Sequence, residues 1–262
     1  DSYHLCDQVE AAIGRVEPKD LYLIEVDAYA YSEDVWFSSN RGTPVTIKHP
    51  DEDDITGDQQ NFIADYFNKM EAAVFASSFT NETTGYRKYL DLDSFLKNFI
   101  VGEFAGNTDT YWSVYMYKDA ADGKLYTGPI WDYDLAFEND QRTYPINNLS
   151  DYIYASCGSV ASEAMRSMVS RIVKEDPAAK ARLLELWTAA RTEGGLDDLN
   201  EMVDELEVLL QESQELNFKR WKILDQRVHE NYQALGSYSA EVGTVRTYIT
   251  KRLESLDKLI RK

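Results

Sequence analysis

Three aspartates and the strand pair between them constrain this chain more than any other feature. Asp109 closes the triplet Asn107-Thr108-Asp109, just past a predicted helix end at Gly106. Asp132 and Asp134 close the run Gly128-Pro129-Ile130-Trp131-Asp132-Tyr133-Asp134. Between them lie two strand-like runs, 113–118 and 124–127, joined through Asp122-Gly123, a pair that tight hairpin turns favour. In extended backbone the side chains at i and i+2 share a face, so Asp132 and Asp134 point at one ion. Asp109 then sits across the hairpin's mouth. Packing does not account for three carboxylates gathered in this way, because unpaired buried charge is costly.

A phosphoryl-transfer site needs this order of parts. One aspartate orients or deprotonates the attacking hydroxyl, and another, beyond a strand pair, holds the magnesium that bridges the nucleotide phosphates. Magnesium takes one or two carboxylates and fills its other positions with phosphate and water. An aspartate pair alone is a weak signal, since metal-dependent sugar transferases and glycosidases also use paired carboxylates. The combination with Asn107-Thr108-Asp109 and the intervening hairpin is what gives it weight.

The chain resembles the spore coat protein H (CotH) kinase family, an atypical branch of the protein-kinase fold. The matching pieces are Glu103 with Asn107-Thr108-Asp109, the run Tyr115-Met116-Tyr117-Lys118, and Gly128 through Asp134 continuing into Leu135-Ala136-Phe137. Weaker matches lie at residues 3–10 with Arg15-Val16, at 21–27, at Ile47-Lys48-His49-Pro50 and at 217–221. The resemblance implies an α+β, protein-kinase-like fold in a single domain of residues 1–262. A small, truncated β-rich part (1–57) would pack on a mainly helical lobe (58–262) that carries the catalytic hairpin at 107–137. It implies ATP-dependent phosphorylation of a protein hydroxyl, with Mg2+ or Mn2+, outside the cell or on a cell or spore surface. The substrate would be another surface or coat protein.

By the same resemblance Asp109 is the catalytic base, Asp132 the principal metal ligand and Asp134 its support, with Asn107 and Glu103 holding the Asp109 loop. Asn107, Lys48 and Tyr126 are candidate nucleotide contacts. Lys48 reads more readily as a solvated strand-end lysine, and Tyr126 equally as a core residue. Ser113 stands near the place where protein kinases carry a metal-binding asparagine. The glycine-rich phosphate loop and strand lysine of a kinase are expected before residue 1. That expectation keeps a second reading open: a catalytically silent module with a structural or adhesive role in a spore coat or a carbohydrate-degrading complex. A carbohydrate-binding or carbohydrate-cleaving domain is a third.

The remaining composition narrows the choice. The 262 residues suffice for one large domain or two small lobes. With 27 basic and 46 acidic residues the net charge is −19, which repels nucleic-acid backbones. No apolar run approaches a membrane span. Cys6 and Cys157 lack metal-ligand spacing and read as two free or buried thiols, or as a disulfide. His4, His49 and His229 are scattered, which gives no support to a zinc site or a serine-histidine triad. Neither a nucleophile-elbow G-x-S-x-G nor a P-loop is present. The acidic run 51–54 is read as a solvated turn before a helix, because Gly57 is out of register for a calcium loop.

Periodicity predicts strands at 21–27 and 45–48, helices at 59–77 and from an Asp93 cap to Gly106, and no clear pattern over 138–158, the activation-segment region with its polar Asn147-Asn148. Beyond residue 162 the spacing is helical throughout, with runs at 162–174, 177–194, 199–216, 218–235 and a last helix through Ile260.

Overall fold

The computed structural model describes residues 21–141, 151–156 and 163–262. Its chain divides into two compact units that alternate along the sequence. The first takes Asp1–Asn98, Tyr111–Trp131 and Ser159–Asp176; the second takes Phe99–Thr110, Asp132–Gly158 and Pro177–Lys262.

Unit 1 is built on a sheet of five antiparallel strands in the order β2-β3-β1-β4-β5. The strands are β1 (Tyr22–Asp27), β2 (Trp36–Ser38), β3 (Pro44–His49), β4 (Ser113–Lys118) and β5 (Leu125–Thr127). β1 buries Tyr22, Ile24 and Val26 as its alternation predicts, and Glu25 as well. Ile24 pairs with Ile47 on one side and Met116 on the other, and Val26 pairs with Val45 and Val114, so two buried apolar rows cross the sheet. The hairpin at 113–127 thus joins the N-terminal strands through β4, a long-range pairing that local spacing does not reveal.

Helix α1 (Gly57–Phe75) opens with a reciprocal cap between Thr56 and Gln59 and buries Ile63, Phe67, Met70 and Val74. Its buried Glu71 accepts hydrogen bonds from Ser39 Oγ (2.7 Å) and Thr43 Oγ1 (2.5 Å). The acidic run 51–54 is exposed turn. The end of unit 1 is pinned at Asp176, buried, which accepts from Tyr86 Oη (2.7 Å) and pairs with Arg87.

Helix α2 (Leu92–Ala105) passes from unit 1 into unit 2. It starts two residues earlier than the Asp93 cap predicts, because Asp91 Oδ1 accepts the Ser94 N–H at 2.8 Å and takes the capping role. After it in unit 2 come α3 (Ile153–Ser156), α5 (Pro177–Thr192), α6 (Leu199–Leu209), α7 (Gln211–Arg220) and α8 (Tyr238–Ile260), while α4 (Glu163–Val169) and its wider turn Ser170–Lys174 belong to unit 1. Leu183, Trp187, Ile249, Leu253 and Leu256 form the helical core, and Trp187 Nε1 donates to Asp257 Oδ1 at 3.1 Å.

Two of the predicted helices are changed. The run 199–216 breaks at Leu210 into α6 and α7. The run 218–235 leaves helix after Arg220, where Trp221 turns extended. There side chains compete for the backbone: Gln226 Nε2 donates to the Lys222 carbonyl at 2.8 Å and Arg227 Nε to the Asn231 carbonyl at 2.9 Å, and His229 is left-handed (φ 52°). Among the described residues no strand follows β5. Residues 1–20 with His4 and Cys6, the pair Asn147-Asn148, and Cys157 lie outside the described residues.

Candidate active site

The site grows from the C-terminal end of α2. A helix leaves its last four carbonyls without partners within its own body, and here the chain's own turn satisfies the first and distant residues the other three. The chain turns at Gly106 (φ 73°), so that the Gly106 and Asn107 N–H groups both return to the Gly102 carbonyl, at 3.0 and 3.1 Å. The Glu103 carbonyl accepts from Arg252 Nε (2.7 Å), the Phe104 carbonyl from Tyr248 Oη (2.8 Å) and the Ala105 carbonyl from the Phe137 N–H (2.7 Å). Arg252 and Tyr248 lie four residues apart on α8, one turn of helix, so one face of α8 reads two consecutive carbonyls. A cation at the negative end of the α2 dipole adds to the match.

Arg252 also pairs with the Glu103 carboxylate (Nη2–Oε2 2.8 Å), with both side chains at 1% exposure or less. The same carboxylate accepts the N–H groups of Ile153 (2.6 Å) and Tyr154 (3.0 Å) at the start of α3. Glu103 therefore serves the Asp109 loop through the helix end, and it fixes the return of residues 152–154 as well.

Beyond Gly106 the loop is held by its own side chains. Asn107 Oδ1 accepts the Asp109 N–H at 3.2 Å, and Asn107 Nδ2 donates to the Asp132 carbonyl at 3.0 Å. One buried amide thus ties together the two segments that carry the aspartates. Buried Thr108 donates to Asp140 Oδ2 at 2.9 Å, a second tie between the same segments. Thr110 packs where α2 has no side chain: a Cβ on Gly102 would fall 2.4 Å from Thr110 Cγ2. Gly102→Ala is accordingly expected to cost about 1–3 kcal/mol by overpacking, read as a lower urea midpoint with an unchanged slope.

Asp132 and Asp134 converge by a route other than extended backbone. β5 ends at Thr127, and Asp132 is left-handed (φ 57°), a conformation asparagine and aspartate tolerate better than other non-glycine residues. Tyr133 turns inward between them, its hydroxyl 3.4 Å from that of Thr110. The Asp132 carboxyl is held above its ordinary 3.8 by partial burial first, then by hydrogen bonding with Asp134 and by the negative charges of Asp134 and Asp109. The Asp132 carboxyl therefore feels both Asp134 and Asp109 within unit 2.

The sign of the resulting pH dependence follows. A carboxyl with a raised folded value binds its proton more tightly when folded, so its contribution to stability falls as pH rises from about 3.8 through that raised value. Without metal, Asp132→Asn is expected to melt above the wild type beyond that window and level with it below. Equal melting at neutral pH would remove the repulsion argument.

Lys48 and Tyr126 belong to unit 1. Lys48 Nζ lies 3.5 Å from Glu25 and 3.4 Å from Glu33. Tyr126 stacks on Tyr117 with centroids 5.2 Å apart, and its hydroxyl donates to Asp122 (2.8 Å), which raises the phenol's pKa. The sequence reading missed the ties from Arg252, Tyr248 and Asp140. These residues stand 144 and 149 positions from their partners on α2, and 32 from Thr108, and no local pattern marks them.

Among the described residues no group of three or more His, Cys, Asp or Glu closes on a point as a metal site. Asp132 with Asp134 supplies hard oxygen donors in the number that magnesium draws from a protein when phosphate and water complete its shell. The donor set fits a divalent cation held jointly with a nucleotide.

An α+β fold with a small antiparallel sheet, a helical remainder and aspartates on either side of a hairpin defines a kinase-like protein. The profile of the family described as CotH kinase protein matches residues 3–256, and the chain belongs to that family. A search of curated proteins finds no match.

Proposed function

We propose that this chain transfers the γ-phosphoryl group of ATP to a hydroxyl of a protein at the cell or spore surface. The observation that carries the reading is the Asn107 amide, which ties the Asp109 and Asp132 backbones together, with Asp132 hydrogen-bonded to Asp134. In the step, the acceptor oxygen forms a bond to the γ-phosphorus, the bond to the β–γ bridging oxygen breaks, ADP leaves, and the hydroxyl proton passes to the Asp109 carboxylate. Asp132 would hold magnesium or manganese with help from Asp134, and the ion would neutralise charge on the phosphates. Asn107 keeps Asp109 and Asp132 in register, and the capped end of α2 keeps Asn107 in place. The family membership supports the class of reaction. Among the described residues no helix is long and apolar enough to cross a membrane.

One observation favours the silent module. The Ser113 hydroxyl, near the place of the kinase asparagine, is committed to Glu25 at 2.6 Å. Transfer of labelled γ-phosphate from ATP to casein, histone or the chain itself, with Mg2+ or Mn2+, separates the two. Metal-dependent labelling of serine, threonine or tyrosine supports the enzyme. Absence of labelling and of nucleotide binding supports the module.

A further inference from the structure

The segment behind the aspartate pair also walls a cavity. It has a volume of about 560 Å³ and lies, within unit 2, between residues 133–139 and the stretch 218–245. That is the size of a ligand site, roughly 300–1,000 Å³. Phe137, Leu224, Val228, Tyr238, Val242 and Val245 make its walls apolar. Every charged residue lining it is a carboxylate: Asp134, Glu138 and Glu241. Phosphates are repelled there, so the cavity suits an apolar group with neutral or cationic flanks, and a nucleotide poorly.

The cavity is joined mechanically to the aspartates. Asn139 Nδ2 donates to the Asp134 carbonyl at 3.0 Å, and Asn231 Nδ2 donates to Asn139 Oδ1 at 2.7 Å. Phe137 and Glu138 are consecutive left-handed residues (φ 57° and 64°), a strained backbone for side chains of that size. Strain of that kind persists where surrounding structure imposes it, and it clusters at ligand clamps. Here it sits in the wall shared by Asp134 and the cavity.

Resting on the phosphoryl-transfer reading, we propose that this cavity is an acceptor-side pocket that takes a large aliphatic or aromatic side chain of the polypeptide near the hydroxyl to be phosphorylated. The test uses the full chain and fluorescein-labelled serine peptides that differ only in a Leu, Phe or Ala beside the serine, read by anisotropy. The Leu or Phe peptide is expected to bind at least about tenfold tighter than the Ala peptide, a difference of about 1.4 kcal/mol. Val242→Trp, which fills the cavity, is expected to erase that preference, with far-UV circular dichroism checking the fold. Should that variant misfold, Glu138→Lys on the rim is expected to turn the preference for a lysine over a glutamate flank the other way. Equal binding of Leu and Ala peptides, or a preference unaltered in both variants, overturns the pocket. A nucleotide-dependent melting shift is read in parallel. A shift without peptide preference removes only the pocket; peptide preference without a shift removes the kinase reading and leaves a peptide-binding site.

Discussion

Arg252→Leu is expected to cost roughly 3–5 kcal/mol of stability, the cost of breaking a buried ion pair from one side. The Glu103 carboxylate would be left charged, at 1% exposure, without its cation. The Glu103 carbonyl at the end of α2 would lose its donor as well. Native domains hold only about 5–15 kcal/mol in reserve, so unit 2 would stand close to unfolding. Glu103→Gln leaves the opposite defect, a buried guanidinium without its carboxylate, and is expected to be similarly damaging. The double variant Glu103→Gln/Arg252→Leu should lose less than the sum, because neither partner is left as an unpaired ion. It should not regain wild-type stability, since the Arg252 donor to the helix end is gone and the Ile153 and Tyr154 N–H groups keep only a neutral acceptor. Urea unfolding followed by circular dichroism gives all three values. Additive losses would show that the pair is not coupled.

The features legible in the sequence are those written in neighbouring residues. The strand at 22–27, the Asp122-Gly123 turn, Gly106 as the end of α2 and the helical spacing after residue 162, apart from the stretch 221–237, each depend on a few adjacent side chains, and each stands in the structure. The aspartates of the candidate site are legible for the same reason, as motifs of two or three residues. The geometry around them is not. The spacing of Asp132 and Asp134 suggests a strand face, whereas a left-handed Asp132 achieves the convergence. The pairing of β4 with β1 joins residues about ninety positions apart, as in Glu25 opposite Tyr115. The capping of α2 by Arg252 and Tyr248 comes from 144 and 149 positions away. The run 218–235 has apolar spacing that suits a helix, yet its Leu224 and Val228 line the cavity instead. Periodicity alone does not distinguish those two uses of an apolar residue.

Asp109→Asn is expected to reduce phosphoryl transfer by about 10²–10⁴-fold, the range for losing a positioned general base. The amide keeps the size of the side chain and leaves the Asp109 N–H bond to Asn107 in place. Nucleotide binding should therefore survive. Asp132→Asn should abolish both, because an amide does not neutralise the cation that the phosphates require. Asparagine tolerates the left-handed backbone at this position, so the loss would report charge and not a refolded loop. Loss of nucleotide binding in both variants alike would reject the separate roles given to the two residues.

The most direct test of the central claim is the melting temperature of the protein with Mg2+ or Mn2+ alone and with the metal plus ATP. An acidic chain of net charge −19 repels the nucleotide unless the cation accompanies it. The negative charges of Asp134 and Asp109 disfavour a charged Asp132, and a cation would relieve that. Metal plus ATP is therefore expected to raise the melting temperature beyond the shift with metal alone, by the equivalent of about 2.7 kcal/mol when free ligand stands at a hundred times its dissociation constant. Asp132→Asn should remove that increment. An equal shift with and without ATP would contradict the phosphoryl-transfer reading.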